Sequence, residues 1–219
     1  MGPPDKLIET LEEKFKLEVF IETGTYKGDT ALWASKLFKK VYTIELLDDY
    51  FETASENLGK YSNIKLLFGD SRKILPSIIK NLKRPAVFWL DAHMCGDSKF
   101  RDKIIDECPL LEEIKIINKF NDKHLILIDD AGYFISPPPP PHKSSNWPEL
   151  SEILDLLNSK KNRYTTIEED VIISVPDRMK ETLSNFYKNT FLEDNSNSFF
   201  YDIKLLFGKY FKNFLHRMN

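Results

Sequence analysis

Runs that are apolar on both faces alternate along this chain with stretches of helical periodicity, and that alternation constrains the fold more than any other feature. Val-Phe-Trp-Leu at 87–90 and Leu-Ile-Leu-Ile at 125–128 offer no polar face. Such strands must be covered on both sides, the condition of a parallel sheet. Strands are predicted at Val19–Glu22, Val41–Glu45, Ile64–Gly69, Ala86–Asp91 and Leu125–Asp129. A helix from about Asp29, with Leu32, Trp33 and Leu37 apolar, follows the first strand. The next helix has Tyr50, Phe51, Ala54 and Leu58 on one face. Others are predicted around Ile74–Leu82, Leu110–Phe120 and Leu150–Leu157. Strand and helix at this spacing make right-handed βαβ units of a Rossmann-like, doubly wound α/β sheet. The last two runs, Tyr164–Glu168 and Asp170–Pro176, have almost no connector. They must form an antiparallel hairpin, because a parallel crossover needs about a dozen residues or more.

A length of 219 residues suits one domain with a real core. The predicted boundary falls at Pro176: residues 1–176 form the α/β domain, and residues 177–219 a C-terminal helical extension. A net charge of −3 gives no global attraction to nucleic acid, so no nucleic-acid partner is expected. Two cysteines, Cys95 and Cys108, build no disulfide framework. The N-terminal residues lack the apolar core of a signal peptide, and no apolar run approaches the roughly 20 residues that span a bilayer. A reducing, cytoplasmic setting is the expectation.

Two insertions interrupt the rhythm, Met94–Glu107 after the fourth strand and Ala131–Trp147 after the fifth. Both leave the carboxyl edge of the sheet, where ligands bind in such folds, and are candidate acceptor-site walls. The second holds Pro137–Pro141, a stiff polyproline segment read as a spacer. In the tail, Phe199, Ile203, Phe207 and Phe214 recur at helical spacing among Lys204, Lys209, Lys212 and Arg217. A helix docked on the core or at a homodimer interface is expected, with a membrane-surface helix as the alternative.

The first strand ends in Glu22-Thr23-Gly24-Thr25-Tyr26-Lys27-Gly28-Asp29-Thr30. Its glycines permit a tight turn and a close approach of backbone to a ligand. The dinucleotide pattern G-x-G-x-x-G fails at Tyr26 and Asp29, which disfavours a dehydrogenase. The second strand ends in Glu45, about 20 residues past the first glycine, where a carboxylate can accept from ribose hydroxyls. The third ends in Gly69-Asp70-Ser71, where Asp70 can accept from an adenine amine and Ser71 caps the next helix.

From Val19 to about Pro176 the chain resembles the class I S-adenosylmethionine (SAM)-dependent methyltransferases. The motifs are F-I-E-T-G-T-Y-x-G-D-T at Phe20–Thr30, Y-T-I-E at Tyr42–Glu45, G-D-S at Gly69–Ser71, F-W-L-D-x-H at Phe88–His93, E-C-P-L-L-E-E at Glu107–Glu113 and L-I-D-D at Leu127–Asp130. The resemblance implies strand order 3-2-1-4-5-7-6 with the seventh strand antiparallel. It also implies a cofactor surrounded by Glu22, Gly24, Glu45 and Asp70, with Thr23, Thr25, Tyr26, Gly28, Thr30, Ser71 and Asp91 completing the candidate site. Tyr26 stands where the general E/D-x-G-x-G-x-G motif has a glycine.

The fourth and fifth strands are neighbours in such a sheet, so Asp91, His93, Asp129 and Asp130 share one crevice. Crowded carboxylates there suit a hard cation such as Mg²⁺. Such an ion would lower the pKa of an acceptor hydroxyl while His93 takes its proton. A zinc site from His93, Cys95 and Cys108 fits no standard ligand spacing. The layout resembles the metal-dependent sugar O-methyltransferases, which implies Asp91, Asp129 and Asp130 as metal ligands, and Asp91 and His93 as catalytic residues. The reading is therefore O-methylation of a sugar or glycan hydroxyl. A non-sugar small-molecule methyltransferase and a non-catalytic adenosine-binding scaffold are the alternatives.

Overall fold

The computed structural model of the chain describes residues 2–94, 106–120, 123–140, 142–160 and 162–192. It divides into two compact units, residues 1–180 and 181–219. In the second, the described residues 181–192 are helical. The expected aromatic tail at 199–219 lies outside the described residues, as do Cys95 and most of the first insertion.

The first unit opens with α1 (Asp5–Phe15), which buries Leu7, Ile8 and Leu11 along one stripe and ends at Lys16 in the left-handed region. Then come β1 (Val19–Thr23), α2 (Asp29–Leu37), β2 (Lys40–Glu45), α3 (Asp48–Leu58), β3 (Ile64–Phe68), α4 (Ser71–Ile79) and β4 (Val87–Leu90). After β4 follow α5 (Leu110–Phe120), β5 (Leu125–Ile128), the short α6 (Ala131–Ile135), α7 (Leu150–Asn158), β6 (Arg163–Glu168) and β7 (Val171–Pro176). Residues 144–146 form a 3₁₀ turn before α7. Two helices were not anticipated. α1 precedes the alternating pattern, and α6 occupies only five residues of what reads in sequence as an insertion.

The seven strands form one sheet, ordered β3-β2-β1-β4-β5-β7-β6, as the sequence implied. β1 pairs in parallel with β2 and β4, β2 with β3, and β4 with β5. β7 is antiparallel to both β5 and β6. Every residue of β4 and β5 is buried, because helices cover both faces of the sheet. The main core joins Ile21, Phe88 and Ile126 to Leu75, Ile114 and Ile153 from the overlying helices. The order in which strands are added reverses between β1 and β4, so their carboxyl ends open a crevice at the switch point.

The β6–β7 hairpin turns through Glu169 and Asp170, both at positive φ (49° and 65°). That geometry belongs to a two-residue turn matched to the strand twist. The hairpin is fastened by Arg163, which is 9% exposed. Its Nε donates to Ser174 Oγ (3.0 Å), Nη1 to the His124 carbonyl (2.9 Å) and Nη2 to the Ser174 carbonyl (2.7 Å). The fork ties β6 to β7 and to the residue that leads into β5. Replacing it with Leu removes donors from buried carbonyls, each costly to leave unsatisfied. Arg163→Leu is therefore expected to lower unfolding free energy by about 3 kcal/mol, read from urea denaturation.

Candidate active site

The glycine loop after β1 is shaped by packing as much as by any ligand. Gly24 sits at φ 87°, and a Cβ there would lie 2.1 Å from the Asp91 carbonyl oxygen and 2.7 Å from its carbonyl carbon. The residue is glycine because the loop presses on the backbone leaving β4. Gly28 (φ 92°) starts α2, and a Cβ there would meet the Leu58 side chain at 2.9 Å. Tyr26, the departure from the glycine motif, also takes a positive φ (51°). Its conformation is held by Glu45, whose Oε2 accepts the amides of Tyr26 (2.9 Å) and Thr25 (3.1 Å). Oε1 of Glu45 accepts the Leu47 amide (2.9 Å). One buried carboxylate thus joins the end of β2 to the loop after β1.

Beneath the loop lies a polar chain. Thr25 and Thr43 hydroxyls are 2.5 Å apart, and Thr43 donates to Glu22 Oε2 at 2.6 Å. Thr30 also hydrogen bonds to Glu22. Glu22 is 1% exposed, and burial pushes its pKa up to about 8 against the opposing hydrogen bonds. Thr23, at the end of β1, donates to Glu113 Oε2 on α5 (3.4 Å), and burial likewise raises Glu113 to about 7.

A cavity of about 280 Å³ opens at the switch point, bounded by Gly24, Tyr26, Glu45, Asp70, Ser71, Asp91 and His93 among others. That size falls near the lower end for cofactor and ligand sites. Of the predicted cofactor residues, Gly24, Tyr26, Glu45, Asp70, Ser71 and Asp91 face this cavity, whereas Glu22, Thr23, Thr25, Gly28 and Thr30 support its walls from behind. Asp70 caps α4 by accepting the Arg72 amide (2.9 Å). Its side chain also receives Arg72 Nε (2.9 Å) and Nη2 (2.9 Å), and these hydrogen bonds hold the carboxyl below its usual range.

The residues predicted to be catalytic gather one strand away. His93 is 7% exposed. Its Nε2 lies 2.8 Å from Asp130 Oδ2 and 3.7 Å from Asp91 Oδ1. Burial disfavours the charged imidazole, but the hydrogen bond to Asp130 and the charge of Asp91 outweigh it and raise the His93 pKa. Asp91 is raised to about 7, chiefly by burial, with Asp129 and Asp130 adding repulsion and His93 opposing. Asp129 turns Oδ1 back onto the Asp130 amide (2.9 Å).

Asp130 is free for His93 because another residue caps α6. It occupies the N-cap position at φ 53° but makes no side-chain cap bond. Instead Asp170, from the β6–β7 turn, accepts the Ala131 amide on its carbonyl (2.8 Å) and the Gly132 amide on Oδ1 (2.6 Å). α6 then places Tyr133 against His93 (ring centroids 6.4 Å) and against Trp147 (5.4 Å). Trp147 also packs on the His93 ring (5.4 Å) and donates its indole N–H to buried Glu107 (3.1 Å). Glu107 accepts the Lys143 amide as well (3.1 Å), and its carbonyl accepts the Met94 amide (2.9 Å). One acid therefore fastens the segments after β4 and α6 together beside His93. Sequence reading placed these segments as site walls but gave no role to Glu107, Trp147, Tyr133, Asp170 or Arg72. Only the acidic turn Glu168-Glu169-Asp170 and the motif acid Glu107 carried any signal.

The expected magnesium site takes a different form. Asp130 Oδ2 is directed at His93 and Asp129 Oδ1 at a backbone amide. Among the described residues no group of three or more His, Cys, Asp or Glu side chains is disposed to hold a metal ion. Asp91, Asp129 and Asp130 crowd together as anticipated, but the nearby imidazole answers their charge. These residues as placed do not fit a metal. The zinc alternative includes Cys95, outside the described residues, and Cys108, whose thiol burial pushes up to about 12 and away from the thiolate a metal needs.

Neither a protein-family model nor a curated protein matches the chain. Solved structures do. A methyltransferase from Podospora anserina bound to S-adenosylhomocysteine (SAH) aligns with TM-score 0.54 at 16% identity, over 80% of each chain. An O-methyltransferase from Bacillus cereus in complex with SAH aligns with TM-score 0.54 at 14% identity, over 80% of this chain and 82% of that one. The fold is thus that of the Rossmann-like methyltransferases, with the seventh strand antiparallel.

Two outcomes test the site's construction. Gly24→Ala forces a methyl group into the Asp91 carbonyl at a strained φ, and should cost more than about 3 kcal/mol in urea unfolding. For Glu22, the folded carboxyl keeps a proton that the unfolded chain releases between pH 4.5 and about 8, so its effect on stability worsens as pH rises through that window. Glu22→Gln removes this contribution. Its urea midpoint should gain on the parent's between pH 5 and 8, with Asp91 and Glu113 maintaining a residual slope of the same sign.

Proposed function

We propose that the chain is a SAM-dependent O-methyltransferase, with an Asp91–His93–Asp130 cluster, its imidazole buried and its carboxylates partly exposed, that receives the acceptor's proton. The observation that carries this reading is the position of His93. It is clamped by two carboxylates on the rim of a cavity built from a glycine loop, Glu45 and Asp70, in a fold whose solved neighbours hold SAH.

In this reading Glu45 accepts from one ribose hydroxyl with the lone pair its three amide partners leave available. The methionine end lies toward Gly24 and Asp91. An acceptor hydroxyl oxygen attacks the methyl carbon in line, the carbon–sulfur bond breaks, and the sulfur leaves as the neutral thioether of SAH. The hydroxyl proton passes to the cluster, where Asp130 and Asp91 stabilise the charged imidazole. Much of the rate comes from holding the two substrates in line.

The sequence motifs favour a sugar or glycan hydroxyl as acceptor. A non-sugar hydroxyl is the second reading. It is favoured by a Staphylococcus aureus neighbour carrying a provisional caffeoyl-CoA O-methyltransferase assignment (TM-score 0.56, 16% identity, covering 80% of this chain and 85% of that one). The sequence also placed the protein in the cytoplasm, and among the described residues no helix is long and apolar enough to cross a membrane.

Titration calorimetry with SAH should give micromolar binding, weakened about 10-fold or more in Glu45→Ala. Absence of binding to the parent protein would move the scaffold reading to the front. In an acceptor screen with radiolabelled SAM, His93→Ala should lower kcat by about 10²–10⁴-fold and leave the SAH dissociation constant unchanged. Turnover should survive exhaustive chelation. Loss restored by Mg²⁺ would show that the three aspartates regroup around an ion during catalysis.

A further inference from the structure

Arg72 is a cofactor-side residue that the motifs do not single out. It is the second residue of α4, and its side chain lines the switch-point cavity while remaining about one-third exposed (33%). Its Nε and Nη2 bind the two oxygens of Asp70, and Nη1 reaches Asp106 Oδ2 at 2.5 Å, ahead of α5. Two carboxylates from different segments thus fix the guanidinium in one plane by all three of its nitrogens. A guanidinium held by its edges offers a rigid π face, and such faces stack on purine rings. Leu46, Leu47 and Pro109 line the same cavity, apolar surfaces suited to a flat ring.

Resting on the cofactor reading above, we propose that Arg72 is the platform for the cofactor's adenine, and that Asp70 and Asp106 act on the purine by orienting it. Asp70, read from sequence as a direct partner of the adenine amine, is here the residue that aims the platform. Asp106 brings the segment before α5 onto the same guanidinium, so the purine end of the cavity is closed by a charged plane anchored on both sides. A lysine would preserve both ion pairs but has no planar face. A glutamine loses the charge but keeps a planar amide able to reach Asp70.

The test is calorimetric titration of the full chain with SAH, and separately with adenosine, for Arg72→Gln, Arg72→Lys and Asp106→Asn. Urea denaturation confirms that each variant is folded. Stacking predicts the order Arg, then Gln, then Lys. Arg72→Lys should lose about 10-fold in affinity and Arg72→Gln only about 3-fold. The ratios should be the same for adenosine as for SAH, because the contact lies on the purine. Asp106→Asn, which keeps the guanidinium, should lose less than Arg72→Lys. Equal losses in the Gln and Lys variants, the reverse order, or wild-type affinity in both would overturn the platform. So would an effect on SAH that adenosine does not share. If the parent protein binds neither probe, the cofactor reading itself fails, which the wild-type titration alone reveals.

Discussion

The contact on which this site depends is the approach of Gly24 to the carbonyl of Asp91. β1 and β4 are neighbours in the sheet, and the loop leaving one lies against the backbone leaving the other, with no room for a single methyl group between them. That closeness brings the switch-point cavity within reach of Asp91 and His93. The same loop is then locked from a third strand by Glu45, which accepts amides on either side of the β1–β2 junction. Two glycine positions and one carboxylate are enough to fix the cavity wall before any ligand enters.

Around this contact the protein buries acid. Glu22, Glu113 and Asp91 all have their proton affinity raised by desolvation, and each lies at or next to the carboxyl edge of the sheet. Buried carboxyls of this kind cost stability at neutral pH unless hydrogen bonds or a cation offset them. Glu22 and Glu113 are met by threonine hydroxyls, which favour the charged form but do not outweigh burial. Asp91 and Asp130 are met by the imidazole of His93.

The segments after β4 and β5 are held by acids that are distant in sequence. Asp170 takes over the capping of α6 and so releases Asp130 to His93. Glu107 binds the Trp147 indole and thereby sets an aromatic wall of Tyr133 and Trp147 against the same imidazole. Arg72 performs the equivalent task in the same cavity, joining Asp70 to Asp106. In each case a charged or polar side chain from one connection finishes a structure begun by another.

The sequence by itself determined the sheet. Doubly apolar runs at 87–90 and 125–128 demanded burial on both faces, and the missing connector between β6 and β7 demanded a hairpin. It also located the strand ends where Glu45, Asp70, Asp91 and Asp130 emerge, because a carboxylate after an apolar strand has one edge at which to appear. It did not reveal α1 or α6, which lie outside the strand–helix rhythm, nor what the acids would bind. A metal among Asp91, Asp129 and Asp130 and a glycine kept for a ligand were reasonable readings of residue types alone. Tertiary structure added the partners that residue types do not name, pairing His93 with Asp130 across 37 residues, Gly132 with Asp170 across 38 and Arg72 with Asp106 across 34. Periodicity fixes which face a side chain takes, whereas its hydrogen-bond partner is fixed only when the folded backbone brings two separate loops within about 3 Å of each other.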